Sequence, residues 1–159
     1  MTTSSTATTA TTATTAASAA PGSPTRRFPV RAALTAGGVG AVTAGVVNLA
    51  VSLLARGPLG VSAEFLPLTP GPIVMWTVLG VLIGAFGWRL IVNRSERSGA
   101  VLRTLVPTVL GVSLLPDVAL LATDAMPGTS TTGVLALMVM HVLTAVIAVG
   151  AYRRWMPTA

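Results

Sequence analysis

The chain of 159 residues lacks cysteine and lysine and has few acidic or aromatic residues. Because it offers no thiol, it has neither a disulfide framework nor a thiolate metal site. Charged residues make up 9% of the chain, whereas soluble domains carry about 25%. Hydrophobic residues make up 52%, so the charges are too sparse to cover a soluble surface of this size. The composition indicates a membrane protein.

Motifs of enzymatic chemistry are also missing. The sequence contains no phosphate-binding glycine loop and no nucleophile elbow. The Gly-Gly-Val-Gly run at 37–40 lies inside an apolar segment and follows no strand, so it is not a dinucleotide fingerprint. A single histidine with one nearby aspartate is too few ligands for a zinc site, which takes three or four. We therefore expect no enzymatic activity, no cofactor and no metal.

Four apolar segments, at about 32–55, 72–93, 101–122 and 133–152, have nine of the ten arginines on one side. The nine are Arg26, Arg27, Arg31, Arg89, Arg94, Arg97, Arg103, Arg153 and Arg154, and only Arg56 lies on the other side. Each segment is near the roughly 20 residues that a membrane-spanning helix needs, and lipid leaves the backbone no other hydrogen-bonded form. The positive-inside rule then predicts an all-α, four-helix transmembrane bundle with both termini in the cytoplasm.

The arginines also bear on the partner and the organism. A net charge of +6 would suit nucleic acid, but these arginines lie at segment ends without a stripe of basic and aromatic residues. They fit anionic lipid headgroups better, so we expect the lipid bilayer as partner and no nucleic acid. The all-arginine usage, with abundant Ala, Val, Gly and Thr, is typical of a GC-rich bacterial genome. We therefore expect a bacterial plasma membrane as the location of the protein.

Residues 1–28 differ from the rest of the chain, which forms the membrane domain at 29–156. They are mostly Thr, Ala and Ser with almost nothing to bury, which predicts a disordered cytoplasmic tail. An organelle transit peptide is the alternative, although such peptides spread their arginines along the segment. The Arg26-Arg27 pair also suggests a twin-arginine signal, but the following apolar run exceeds the roughly 7–15 residues of a signal core.

Small residues recur at helical spacing in the first two segments and predict where these helices pack. The first segment carries Gly37, Ala41 and Gly45 on one face, which continues to Asn48 and Ser52. The second carries a similar face, formed by Gly80, Gly84 and Gly87. Small residues let membrane helices approach closely, so we expect these faces to meet. The alternative is that glycine is simply common in membrane helices. In the third segment, Pro107 and Pro116 predict kinks.

Polar side chains within the segments form a predicted layer near the outer side. At about 1.5 Å per residue, Asn48, Asp117 and His141 lie roughly 10, 8 and 12 Å from the outer boundary, and Thr77 falls near that level. A charged group in lipid is costly, so we expect an Asp117–His141 hydrogen bond with Asn48 beside it. Three interpretations remain open: interhelical packing, a proton or ligand site, or an Asp117 solvated at the interface.

The residues 113–117 (Ser-Leu-Leu-Pro-Asp) and 137–142 (Leu-Met-Val-Met-His-Val), together with Asn48, resemble a family of small four-span actinobacterial membrane proteins. That family is catalogued only as a domain of unknown function. The resemblance covers about 31–152 and implies location and architecture. We therefore expect a non-enzymatic, multi-pass membrane protein that packs with itself or with another membrane protein. The alternative is a small proton-linked carrier or sensor that uses Asp117 and His141.

Overall fold

The computed structural model describes residues 27–123 and 125–158, which form four long helices and no strand. The helices are α1 (Val30–Arg56), α2 (Pro70–Arg94), α3 (Ser98–Thr123) and α4 (Thr131–Trp155), with a short 3-10 helix at Leu66–Leu68. Each of the four is long and apolar enough to cross a membrane. The predicted all-α, four-helix membrane fold is therefore confirmed. The predicted disordered tail lies outside the described residues, apart from its last two.

The helices extend one to three residues beyond the predicted spans at each end. The predicted bounds followed the apolar runs, whereas a helix continues until its backbone groups find other partners. At the start of α4, for example, the Ser130 hydroxyl accepts a hydrogen bond from the Gly133 amide at 3.1 Å. This N-cap moves the first turn of α4 ahead of its apolar run. Helix α3 continues through both Pro107 and Pro116.

Helix α1 lies at the centre of the packing. It contacts α4 and α2 extensively, and α3 packs mainly against α4. Helices α1 and α4 run antiparallel, because Gly40 of α1 faces Ala151 of α4 while Asn48 faces Thr144. Only 6% of the most apolar stretch of α3 is buried, against 28–33% in the other helices. Helix α3 is therefore a peripheral helix on a three-helix core.

Two buried clusters fill the two ends of the bundle. The arginine-rich end, where α2 and α4 finish, holds Trp88 and Tyr152 with their ring centroids 5.5 Å apart. The Trp88 indole donates to the Met156 carbonyl at 2.9 Å, which fixes the end of α4. The opposite end is filled by Phe65 and Leu68, both fully buried against α2 and α4.

Phe65 and Leu68 anchor the loop between α1 and α2 to the bundle. From the sequence alone, the apolar run 65–68 of this loop would suit the membrane surface. Instead, the Ser52 hydroxyl donates to the Leu68 carbonyl at 2.6 Å and holds the loop against α1. Only Leu66 of the run is exposed among its large apolar side chains, at 64%. The Phe65 ring packs against Gly133 of α4, where an added Cβ would lie 3.1 Å from the ring.

Phe28 corrects the predicted boundary of the tail. The tail was expected to extend to residue 28, but the Phe28 side chain is buried in the cluster at the arginine-rich end. Its amide donates to Asn93 Oδ1 at 2.8 Å, and its carbonyl accepts from Asn93 Nδ2 at 3.0 Å. Arg89 Nε donates to the same carbonyl at 3.0 Å. The ordered domain therefore includes Phe28, and Arg89 helps to hold the chain at this residue.

The predicted glycine faces meet only in part. In α1, Gly37 and Ala41 are buried, and a Cβ at Gly37 would lie 2.9 Å from Leu82 Cδ2 and 3.2 Å from Ala85 Cβ of α2. Gly45, in contrast, has open space beside it. The prediction for α2 is wrong at Gly80 and Gly87, which are exposed and face open space.

The remaining glycine of the α2 face, Gly84, points toward α4 rather than α1. A Cβ there would lie 2.7 Å from the Tyr152 hydroxyl. That hydroxyl donates to the Val81 carbonyl. The α2 surface that meets α1 is instead formed by the larger side chains of Val81, Leu82 and Ala85. The glycines of one helix therefore receive the side chains of the next, and the two glycine faces do not stack directly.

Candidate functional site

The polar side chains predicted to share a layer form two separate groups in the structure. In the first, Asn48 lies on the buried face of α1 and is 3% exposed. Its Nδ2 donates to Thr77 Oγ1 of α2 at 3.0 Å and to Thr144 Oγ1 of α4 at 2.9 Å. One amide group therefore bridges three helices.

Thr144 is a member of this group that the sequence analysis missed. It lies three residues after His141 and so on a neighbouring part of the same helix face. Threonine is common in apolar helices and usually bonds to its own backbone, so its identity alone gave no signal. The helical spacing from His141 was the one available clue.

The Asn48 group predicts a measurable coupling between α1 and α4. In a double-mutant cycle of Asn48→Leu and Thr144→Val, we expect a coupling of about 0.6 kcal/mol and at most about 1.7 kcal/mol, as for other polar pairs in membrane helices. The measurement is the free energy of unfolding in mild detergent by titration with SDS. A matched cycle of Asn48→Leu with Thr108→Val, a threonine that bonds within α3, is expected to give no coupling. Equal couplings in both cycles would contradict the contact.

Asp117 of α3 and His141 of α4 form the second group. His141 Nδ1 lies 3.1 Å from Asp117 Oδ2 and 2.9 Å from the Leu137 carbonyl, one turn earlier on α4. Both neighbours of Nδ1 are oxygen atoms that can accept a hydrogen bond. The contact of Nδ1 with the Leu137 carbonyl has hydrogen-bond geometry, whereas Asp117 Oδ2 has no hydrogen-bond partner within the described residues.

The two groups differ in their access to the surroundings. The Asp117 side chain is 6% exposed, whereas that of His141 is 38% exposed at the edge between α3 and α4. Asn48 does not reach Asp117, because its amide hydrogens are directed to Thr77 and Thr144. Asn48 Oδ1 is also buried without a hydrogen bond within the described residues. The predicted single cluster is therefore a buried Asn48 bridge and a half-open Asp117–His141 pair.

This geometry limits the chemistry of the site. Within the part of the chain that the structure describes, no three His, Cys, Asp or Glu residues lie close enough to hold a metal ion. The Asp117–His141 pair can hold or exchange a proton, with the carboxylate stabilising a positive imidazole. The Asn48 bridge contains no titratable group and can only orient its helices.

No family model, no curated protein and no solved structure matches the chain.

Proposed function

We propose that the protein is a non-enzymatic, multi-pass protein of a bacterial plasma membrane that associates with a second copy of itself or with another membrane protein. The observation that carries the proposal is the half-exposed His141 beside the buried Asp117. His141 lies ten residues into α4, which is roughly 15 Å along the helix. An ionisable group at that depth is costly against lipid and calls for a protein or water neighbour.

The shape of the bundle supports a partner at the α3–α4 edge, defined here by Asp117, His141 and Ala145. Helix α3 is peripheral and packs mainly on α4, so this edge is accessible from the membrane. A partner helix with a polar side chain would supply the hydrogen bonds that the exposed imidazole lacks in lipid. The proposed threading leaves both termini in the cytoplasm, supported by the concentration of arginines at one end.

Single-cysteine cross-linking tests this proposal, since the chain has no cysteine of its own. Ala145→Cys places a thiol one turn from His141, and Val46→Cys is the matched control on a 64% exposed position of α1. In native membranes, we expect Ala145→Cys to form several-fold more cross-linked adduct than Val46→Cys. Adduct of twice the monomer mass supports self-association, and a different defined mass supports another protein. Equal adduct at both positions, or none, would contradict a partner at this edge.

The second candidate is a small proton-linked carrier or sensor that uses the Asp117–His141 pair. The observation that favours it is the 3.1 Å approach of His141 Nδ1 to Asp117 Oδ2, since a carboxylate beside an imidazole is a common arrangement in proton relays. The arginine-rich half offers no comparable carboxylate–imidazole pair within the described residues. A complete proton path across the membrane would therefore need further groups, which makes this the weaker candidate.

The two candidates are separated by proton flux in proteoliposomes loaded with a pH-sensitive dye. The carrier reading expects flux in the natural protein and its loss in Asp117→Asn with His141→Gln, while Thr144→Val retains it. The partner reading expects the same low flux from all three proteins. Folding of each variant is checked by helix content and a single elution peak, so that loss of flux is not confused with loss of structure.

A further inference from the structure

A cavity of about 350 Å³ opens at the arginine-rich end between α2, α3 and α4. Its floor includes Trp88 and Leu102, which are 3% and 5% exposed. Val106 and Pro107 line it along α3, and Arg103 and Arg153 line it from α3 and α4. The cavity exists because α3 packs loosely against α2, so the wedge between them is not filled by side chains.

The two arginines make this cavity strongly basic. Within residues 27–123 and 125–158, neither guanidinium lies within 4.0 Å of a carboxylate, and the one carboxylate–base pair there is Asp117–His141. Further arginines surround this end of the bundle, whereas Glu96 is the one acid between α2 and α3. Two guanidiniums on different helices are suited to share one phosphate group, to which they bond in a bidentate manner.

The cavity also changes in polarity with depth. Gly99 lies one residue into α3, Arg103 about 8 Å along it, and Pro107 about 14 Å along it. Arg103 thus lies nearer the start of α3, and the deeper wall along α3 is formed by Val106 and Pro107. A free phosphate ion would use only the mouth, while an amphiphile would use both parts. The volume is within the roughly 300–1,000 Å³ of small-ligand sites.

We propose that this cavity is a binding site for an anionic phospholipid. Arg103 and Arg153 bind the phosphodiester at the membrane surface, and one acyl chain lies along Val106 and Pro107 in the gap beside α3. Basic pockets between membrane helices recognise anionic headgroups in this manner. The lipid fills the gap between α3 and α2 and thereby fixes the peripheral helix. This site is independent of the α3–α4 edge and lies at the other end of the bundle.

The test uses the full chain in a neutral detergent, with binding measured by native mass spectrometry and by the thermal unfolding midpoint. The probes are dioleoyl phosphatidylglycerol, dioleoyl phosphatidylcholine and inorganic phosphate. We expect the phosphatidylglycerol to bind and to raise the unfolding midpoint, and the phosphatidylcholine to do neither. In Arg103→Gln with Arg153→Gln, we expect an apparent Kd for phosphatidylglycerol that is weaker by about tenfold or more.

The matched control is Arg97→Gln with Arg154→Gln, which removes two exposed arginines of the same end that do not line the cavity. Its net charge equals that of the test variant, and we expect its affinity to stay within about twofold. Equal weakening in both variants would show general attraction to the basic end and would overturn the proposal.

A second variant separates lipid from free phosphate. Val106→Trp fills the apolar part of the cavity and leaves both arginines in place. We expect it to weaken phosphatidylglycerol binding by about tenfold without changing the response to phosphate. If phosphate alone raises the unfolding midpoint of the natural protein as much as phosphatidylglycerol does, or if Val106→Trp binds the lipid normally, the lipid assignment is wrong.

Discussion

Gly84→Leu is expected to destabilise the bundle by about 3 kcal/mol. A Cβ at this position would lie 2.7 Å from the Tyr152 hydroxyl, so Tyr152 must move. Its hydroxyl then loses the Val81 carbonyl, and its ring leaves Trp88. Both the crowding and the loss of a buried hydrogen bond contribute to the expected effect. The measurement is the free energy of unfolding in mild detergent by SDS titration.

Gly87→Leu is the matched control for this prediction. Gly87 belongs to the same spaced set in the sequence, but it is exposed and has no heavy atom within 4 Å of an added Cβ. We expect its free energy of unfolding to stay within about 0.5 kcal/mol of the natural protein. Similar losses from both variants would show that α2 packs through its whole glycine face, contrary to the structure.

Gly40→Leu is expected to have the second largest effect, a loss of roughly 2–3 kcal/mol. At this point α1 approaches α2 and α4 together. A Cβ at Gly40 would lie 3.2 Å from Val81 Cγ1, 3.5 Å from Ala151 Cβ and 3.7 Å from the Ala148 backbone. The nearest side chains cannot move aside, because Val81 is branched at Cβ and Ala151 has no rotamers. The helices must separate to admit a leucine.

The control is Gly38→Leu, two residues earlier on α1. Gly38 is exposed, and an added Cβ there meets nothing within 4 Å. Its leucine would face lipid, and we expect a change within about 0.5 kcal/mol in the same unfolding titration. A loss at Gly38 as large as at Gly40 would place the α1 contact on a different face.

The positions of the four helices could be predicted from the sequence because the bilayer imposes a length and an apolar composition on each span. Which faces of the helices contact one another could not be predicted in this way. The spacing of three and four residues correctly predicted that Gly37 is buried. The same spacing also predicted packing at Gly80 and Gly87, but these two glycines face open space. Glycine spacing identifies a face of a helix, but the bulk on the neighbouring helix decides whether that face is used. Gly40 was missed as a packing position because its close contacts are with Val81 and Ala151 of the neighbouring helices, which the spacing within α1 does not reveal.

For the polar site, the sequence predicted the depth of the side chains in the membrane but not the directions in which they point. Counting residues from the segment ends placed Asp117 and His141 at matching depths, and the structure brings them to 3.1 Å. Depth alone could not show that Asn48 faces Thr77 and Thr144 instead. That outcome depends on the rotation of α1 about its axis, which is set by the tight approach at Gly37 and Gly40. The burial of Phe65 could not be predicted from the sequence either, since the pocket that holds its ring exists only once the helices have packed.

Labelling of single cysteines in intact cells most directly tests the claim that the four helices cross the membrane with the arginine-rich end in the cytoplasm. Glu96→Cys lies in the turn between α2 and α3, and Ala63→Cys lies in the loop between α1 and α2; both positions are exposed. With a membrane-impermeant maleimide, the account predicts labelling of Ala63→Cys in intact cells and of Glu96→Cys only after the cells are permeabilised. Labelling of Glu96→Cys from outside intact cells would contradict it.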